Sequence, residues 1–540
     1  MRLKFPAIRN RKIRPTVDSP GRAGRRRLCG RRRRRESVLK IADILVAHGL
    51  VSRGDIAAAM ELQRGDGAAI GDCLVRLGLL AAGDLERVLR RAPRSPLSLE
   101  DTGLSPASLL NLMVKVIHVN AEATASDIGQ ILKLPPRAVQ ALIALAKERS
   151  LLDLLGAARQ GGSTEIRYTL TTKGADWARQ AMEQNEYIGP APAPLEVYCD
   201  QIRRQRIANE RVDRAAVDAA FKDMIISPEM VREIGPAVNS GRSILLYGSP
   251  GNGKTSIGER VGTLFREVIY IPYCFEVEGQ IIKVFDPAVH KQVPAQADEA
   301  GEAQSLRRED LDTRWVACWR PLLITGGELT LEMLDLSFNT LAKFYEAPLH
   351  IKALGGIFMI DDFGRQLVSP TALLNRWIVP MESRVEHLKL HTGKSFELPF
   401  DELVIFSTNL SPGGLMDPAF LRRIPYKIEV VGPTADEYRL IFRAVAGKFG
   451  LVAEDAIVDA VIDQLRVRND FPLASFQPKF IVDQVLAAAK FDGVAPRLSS
   501  DYVGMALRNL YTKDTPGYGP RAGLGRGGGD PGRDLAFLRS

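Results

Sequence analysis

Gly248, Ser249, Pro250, Gly251, Asn252, Gly253, Lys254 and Thr255 follow one another with the spacing G-x-x-x-x-G-K-[ST]. In such a loop the glycines let backbone N–H groups turn inward and cradle phosphates. Lys254 would reach the β- and γ-phosphates, and the Thr255 hydroxyl would help hold Mg²⁺. A helix is expected from Ser256, and Ser256 is counted with the phosphate contacts because a helix N-terminus favours anions. The run before the loop, Ile244-Leu245-Leu246-Tyr247, is short and apolar, as a strand buried in a parallel sheet is. The ligands this pattern implies are ATP and Mg²⁺.

A second apolar run, Gly355-Gly356-Ile357-Phe358-Met359-Ile360, ends in two carboxylates, Asp361 and Asp362. At the tip of a buried parallel strand they would sit beside the phosphate loop. Asp361 is then the metal ligand, with Thr255, and Asp362 the group that orients or deprotonates a water. A third run, Leu403-Val404-Ile405-Phe406-Ser407-Thr408, ends at Asn409, whose amide would contact the γ-phosphate or that water. Arg422 and Arg423 precede a further strand-like stretch, 426–430. An arginine there, offered to a neighbouring subunit's γ-phosphate, would stabilise charge developing on transfer. Arg423 is preferred, with Arg422 assisting.

The rest of the 540-residue chain is long enough for several domains, and 45% hydrophobic content supports packed cores. Thirteen arginines, two lysines and a single acid, Asp18, give residues 1–35 a charge of +14. The whole chain carries +9, so residues 36–540 carry −5. The arm is expected to be disordered, either a solvated leader, a tether to nucleic acid or anionic membrane, or translated upstream sequence. Five scattered cysteines without C-x-x-C spacing suit reduced thiols and a cytoplasmic location. No run approaches the length of a membrane span, and no apolar segment of a secretory signal follows the basic arm.

Residues 36–95 contain a repeat with an offset of 29, aligning Ile41, Gly49 and Asp55 with Ile70, Gly78 and Asp84. Each unit reads as helix, glycine cap, turn and second helix. This segment resembles the N-terminal domain of type II secretion and pilus-extension ATPases. Some of those proteins bind cyclic di-GMP through Arg-Leu-Gly at each repeat start. Here those positions are Lys40-Ile41-Ala42 and Ala69-Ile70-Gly71, which favours a helical docking module. Residues 97–183 read as a winged helix, with helices at 109–119, 125–132 and 136–149, and the run from Tyr168 to Gly174 resembles the Y-x-L-T-x-x-G close of winged-helix regulators. Its third helix is mostly apolar and offers few side chains to base edges, so protein docking is favoured over DNA reading. A Pro-rich linker covers 184–200.

The constellation over about 195–514 resembles the AAA+ ATPases. That resemblance implies a multidomain α/β protein: a parallel-sheet nucleotide-binding core at 201–430 with a helical lid at 431–514, preceded by the repeat domain and the winged helix. In AAA+ terms, 248–255 match Walker A, 358–362 Walker B, Asn409 sensor 1 and Arg423 the arginine finger. A β-hairpin at 385–398, turning at Thr392-Gly393, is similar to one in the MoxR-like and McrB-like branch. Lys479 stands where that branch carries the sensor 2 arginine, keeping the charge without the bidentate fork. Asp362 stands where Glu is usual, and its shorter reach implies slow or switch-like hydrolysis. Trp315 and Trp319, in a long insertion with a charged stretch at 294–312, are either an aromatic pore grip or core. Residues 515–540 are Gly-, Pro- and Arg-rich and expected to be disordered.

The expected function is an oligomeric Mg-ATPase, a hexameric ring by resemblance, that remodels a protein client chosen by the N-terminal modules. Two alternatives stay open: a DNA-bound, ATP-switched regulator, and a weakly hydrolysing scaffold of a secretion or pilus system.

Overall fold

The computed structural model describes residues 41–66, 68–160, 163–294, 311–468 and 471–510. The basic arm at 1–35, most of the charged stretch at 294–312 and the tail at 515–540 lie outside the described residues.

The chain opens with α1 (Ile41–Ala47), α2 (Arg53–Asp66), α3 (Ile70–Arg76) and α4 (Ala82–Arg91). Its repeat is built twice by the same backbone device. Gly49 and Gly78 both sit at φ 68°. Leu50 N–H donates to the Leu45 carbonyl at 3.1 Å, and Leu79 N–H to the Leu74 carbonyl at 3.0 Å. Such a left-handed closure satisfies helix-end carbonyls and is nearly free for glycine. Leu45, Cys73, Leu74 and Val88 then join one apolar cluster with Tyr198, Val268 and Trp315. The repeat therefore shares a core with the following α/β body.

Next come α5 (Pro106–Asn120), β1 (Ala123–Thr124), α6 (Ala125–Leu132), α7 (Pro136–Glu148), β2 (Leu152–Gln160), β3 (Ser163–Leu170) and α8 (Thr172–Gln184). β1, β3 and β2 make an antiparallel sheet. Ser105, Thr124 and Thr171 cap their helices with side-chain oxygens. α7 turns Val139, Leu142 and Ile143 inward. The connections on either side are pinned. Arg314, almost fully buried, pairs with Asp312 at 2.8 Å and donates to the carbonyls of Thr102 (2.9 Å) and Pro192 (3.4 Å).

β4 (Ala193–Pro194), α9 (Leu195–Arg204), α10 (Arg214–Ala220) and α11 (Pro228–Ser240) lead to β5 (Ile244–Tyr247) and α12 (Lys254–Gly262). β6 (Val268–Pro272), β7 (Cys274–Val277), β8 (Gln280–Lys283), β9 (Trp315–Trp319), β10 (Leu322–Thr325), β11 (Ser337–Asn339) and β12 (Phe344–Glu346) follow. Trp315 is 6% exposed and its ring lies 6.1 Å from that of Tyr198, and Trp319 packs against the same cluster. The pore-grip alternative is thereby overturned: Trp315 is core, and Trp319, half-buried, packs against it. After α13 (Leu349–Lys352) come β13 (Ile357–Ile360), α14 (Pro370–Ser383), the hairpin β14 (Val385–Lys389) and β15 (Ser395–Pro399), and β16 (Leu403–Thr408). Gly393 takes φ 89° at the hairpin turn, and Leu388, Phe396 and Leu398 are buried beneath it.

The central sheet has the order β10-β13-β16-β5-β17, with β17 at Tyr426–Glu429, and every pairing in it is parallel. Successive side chains of each strand enter opposite layers. Ile244, Leu246, Ile357, Met359, Leu403 and Ile405 pack with α11 and α12. Leu245, Phe358, Ile360, Val404 and Phe406 pack with α14. Both faces are covered, which is why these strands read as unbroken apolar runs. α15 (Pro412–Leu415) and α16 (Pro418–Leu421) precede β17, and α17 (Ala435–Lys448), α18 (Asp455–Asp463), α19 (Gln477–Asp492) and α20 (Ser500–Leu510) form a separate four-helix core. No described helix is long and apolar enough to cross a membrane.

One core residue is poorly matched to its place. Glu402, at the foot of β16, is fully buried, and neither carboxylate oxygen has a hydrogen-bond partner among the described residues. Burial pushes its carboxyl well above the usual range. The Glu386 charge adds to this, Arg384 opposes it and Asp401 adds again. A carboxyl held up in the folded state makes stability fall as pH rises past its ordinary value. Glu402→Gln should therefore melt higher than wild type at pH 8, and the gap should shrink towards pH 5. Its size is about 1.4 kcal/mol for each pH unit by which the carboxyl is held up. A gap independent of pH would overturn this account.

Candidate functional site

β5 ends at the loop, and α12 begins at Lys254, two residues before the expected Ser256. The helix starts early because Gly253, at φ 84°, turns the chain directly into its first turn. Gly248 sits at φ 134°, and a Cβ there would lie 2.5 Å from the Val430 carbonyl oxygen. A side chain at this position would drive the loop off the end of the sheet. Ser249, Pro250, Gly251 and Ser256 are exposed, so the mouth of the loop faces outward.

Lys254 is only 6% exposed, and its Nζ donates to the carbonyls of Gly248 and Ser249, both at 2.9 Å. Burial pushes its ammonium below the ordinary lysine value, while the charges of Asp361 and Asp362 pull the other way. Thr255 Oγ1 donates to Asp361 Oδ2 at 2.6 Å, joining residues 106 apart. Asp361 is fixed further by its backbone N–H on the Thr325 carbonyl, at 2.7 Å. Asp362 follows in the left-handed region, at φ 47°, and is exposed. Its Oδ1 accepts from Asn409 Nδ2 at 2.8 Å. The structure thus brings together Lys254, Thr255, Asp361, Asp362 and Asn409 at the carboxyl ends of three adjacent parallel strands.

Among the described residues no group of three or more His, Cys, Asp or Glu side chains could hold a metal. A cation beside the loop would lean on one carboxylate, one hydroxyl, phosphate oxygens and water. That donor set suits Mg²⁺, which keeps waters and takes few protein ligands. Asp361 and Thr255 fit it.

Neither arginine bonds to this constellation. Arg423 Nε donates to Glu382 Oε1 at 2.6 Å, and its Nη1 to the Ala419 carbonyl at 2.9 Å. Arg422 is exposed and has no side-chain partner among the described residues. Lys479, in the first turn of α19, is exposed and paired with Asp483 at 2.6 Å.

Three contacts around the site escaped the sequence reading. Gln366 Nε2 donates to the carbonyls of Asp361 (3.1 Å), Gly326 (3.3 Å) and Asp362 (3.4 Å), bracing the carboxylate turn. The segment leading into α19 latches the loop: Phe476 N–H donates to the Gly251 carbonyl at 2.9 Å, and Ser475 N–H to Asn252 Oδ1 at 3.2 Å. A Cβ on Gly251 would meet the Phe476 ring at 2.3 Å, and one on Gly253 would lie 3.9 Å from Met224 Cε. Gln366, Ser475 and Phe476 stand in no motif, so no local signal marked them as partners of the loop and the carboxylate turn.

A family described as a domain of unknown function (DUF8689) matches residues 434–509, the α17–α20 segment. No curated protein matches the chain. Among solved structures, the chain is similar to the RuvB Holliday junction branch migration motor of Thermotoga maritima, at 16% identity over 53% of this chain and 70% of that one, with a TM-score of 0.29. It is also similar to NtrX from Brucella abortus, at 11% identity over 67% of this chain and 59% of that one, with a TM-score of 0.30. Superpositions this partial place the chain with neither protein.

Proposed function

We propose that the chain is a Mg-dependent ATPase of the AAA+ class that works as a homo-oligomer. The observation that carries this reading is the 2.6 Å bond between Thr255 and Asp361. It joins a phosphate loop to a strand-end carboxylate with the donors a Mg–nucleotide needs. The loop's N–H groups and Lys254 would bind the phosphates, and Thr255 and Asp361 would hold Mg²⁺. When bound, the cation would offset negative charge on the phosphates. Asp362, oriented by Asn409, accepts a proton from the attacking water.

In this reading residues 201–430 are the nucleotide-binding core and 431–514 the lid, which senses the loop through Phe476, Ser475 and Asn252. Lys479 swings from Asp483 to the nucleotide only if the lid moves. The Glu382 contact holds Arg423 within its own chain, which favours Arg422 as the group that reaches a neighbouring subunit. A cytoplasmic location and a protein client delivered through the winged-helix-like and repeat regions belong to the same proposal.

The test is ATP turnover as a function of protein concentration. Activity per chain should rise cooperatively as subunits meet. Nucleotide binding with assembly but without turnover would favour the switch or scaffold reading, for which the short, Asn409-bound Asp362 is the structural motive.

A further inference from the structure

A cavity of about 130 Å³ lies where the turn after α1 and helix α4 of the repeat meet the start of β6 in the α/β body. It is lined by His48, Arg87, Arg91, Arg266, Glu267 and Tyr270, with apolar side chains completing the wall. Three guanidinium groups thus face a single carboxylate. Arg91 and Glu267 form an ion pair, and Glu267 also faces Arg320 at 3.6 Å. Arg320 is in turn bound by Glu210 at 2.8 Å. The inner charges are therefore balanced among themselves. Arg87 is held only by an exposed pair with Asp84, at 2.7 Å, and the Arg266 side chain has no partner among the described residues. Two cations are left available to an incoming ligand.

A second observation points the same way. Tyr270 is 3% exposed, and its hydroxyl has no hydrogen-bond partner among the described residues. The charge of Arg91 opposes the effect of burial on that phenol. Buried hydroxyls are normally satisfied. Burial keeps His48 below its ordinary pKa, so its neutral ring adds one N–H donor without further charge. The volume equals roughly four water molecules, room for an ion of five heavy atoms but not for a nucleoside.

We propose that this cavity binds one tetrahedral oxyanion, the phosphoryl group of phosphate or of a small phosphomonoester, between the repeat and the nucleotide-binding body. Arg266 and Arg87 supply charge, since guanidinium forks match phosphate oxygens. Tyr270 and His48 donate single hydrogen bonds. The anion competes with Glu267 for Arg91, so its arrival loosens Glu267 towards Arg320. Arg320 also donates to the Gly355 carbonyl at 2.6 Å, at the root of the strand that carries Asp361. The site is distinct from the phosphate loop and stands independently of the ATPase reading.

The test is calorimetric titration of inorganic phosphate, and separately of phenyl phosphate, into the full chain carrying Lys254→Ala, which disables the phosphate loop. One anion should bind per chain, and chloride at equal ionic strength should not displace it. The tighter of the two probes identifies free ion or ester as the source. Arg266→Gln and Tyr270→Phe should each weaken binding about ten-fold or more. Tyr270→Phe keeps the ring and Arg266 is exposed, so an unchanged melting temperature will show that both variants fold. Absence of binding, or affinity unchanged in both folded variants, overturns the proposal. With Lys254 intact, loss of ATP turnover in some preparation while phosphate still binds would count against the enzyme reading alone.

Discussion

Lys254→Ala is expected to lower ATP turnover roughly 10²–10³-fold, the usual loss when one preorganised donor to a reacting oxyanion is removed. The reason is geometric. The Lys254 ammonium is buried at the base of the loop and bonded to the Gly248 and Ser249 carbonyls, contacts it can exchange for phosphate oxygens without crossing solvent. Alanine leaves those two carbonyls to water at the open mouth, so the melting temperature should change little. Asp361→Asn offers a second view of the same site. It keeps a partner for Thr255 but removes the negative charge, so the Mg²⁺ concentration needed for half-maximal turnover should rise at least ten-fold. Steady-state hydrolysis across a Mg²⁺ titration measures both. Retention of more than a tenth of wild-type turnover by Lys254→Ala would remove the loop from the chemistry.

Arg422→Ala should cost about 10³-fold in turnover of the assembled protein, the lower end of what an arginine finger contributes. ATP binding by an isolated subunit should be unchanged, because Arg422 makes no contact with its own loop. Arg423→Ala should act differently. Its partner Glu382 lies on α14, so its loss frees the segment after α16 and lowers the melting temperature by a few degrees, with a smaller kinetic effect. Mixing separates the roles. A Lys254→Ala subunit still offers Arg422, and an Arg422→Ala subunit still offers an intact loop. Equal mixtures should therefore regain activity that neither variant shows alone. Failure to complement would end the interfacial reading. Complementation by Arg423→Ala in place of Arg422→Ala would exchange the two assignments.

The parts of the site legible from sequence share one property: each is specified by a few consecutive residues. Glycine at 248, 251 and 253 is demanded by positive φ, and a loop of that geometry has few other sequences available to it. The apolar runs at 244–247, 357–360 and 403–408 mark strands covered on both faces, and their polar ends mark where the site must lie. The twofold repeat was visible because the same glycine closure recurs at Gly49 and Gly78. Even the helix start was missed by only two residues, since Gly253 gives the turn but not the position of the first helical residue.

What tertiary structure alone decided involves pairs far apart in the chain. Nothing near Arg423 announces Glu382, and nothing near Gly251 announces Phe476. Trp315 reads more readily as core than as a surface grip, but a single aromatic carries no period, and packing against Tyr198 shows it in the core. The repeat reads as a separate module, yet Leu45 and Val88 lie in one core with Val268. The residues around the cavity there, from His48 to Tyr270, follow no spacing rule. By itself the sequence marked the glycine-rich loop at 248–255 and the polar ends of the buried strands, because backbone conformation and strand burial are written locally. Which charges meet, which faces fuse and what holds Asp362 through Asn409 were set only when long loops closed, since such contacts depend on three-dimensional packing that no local pattern encodes.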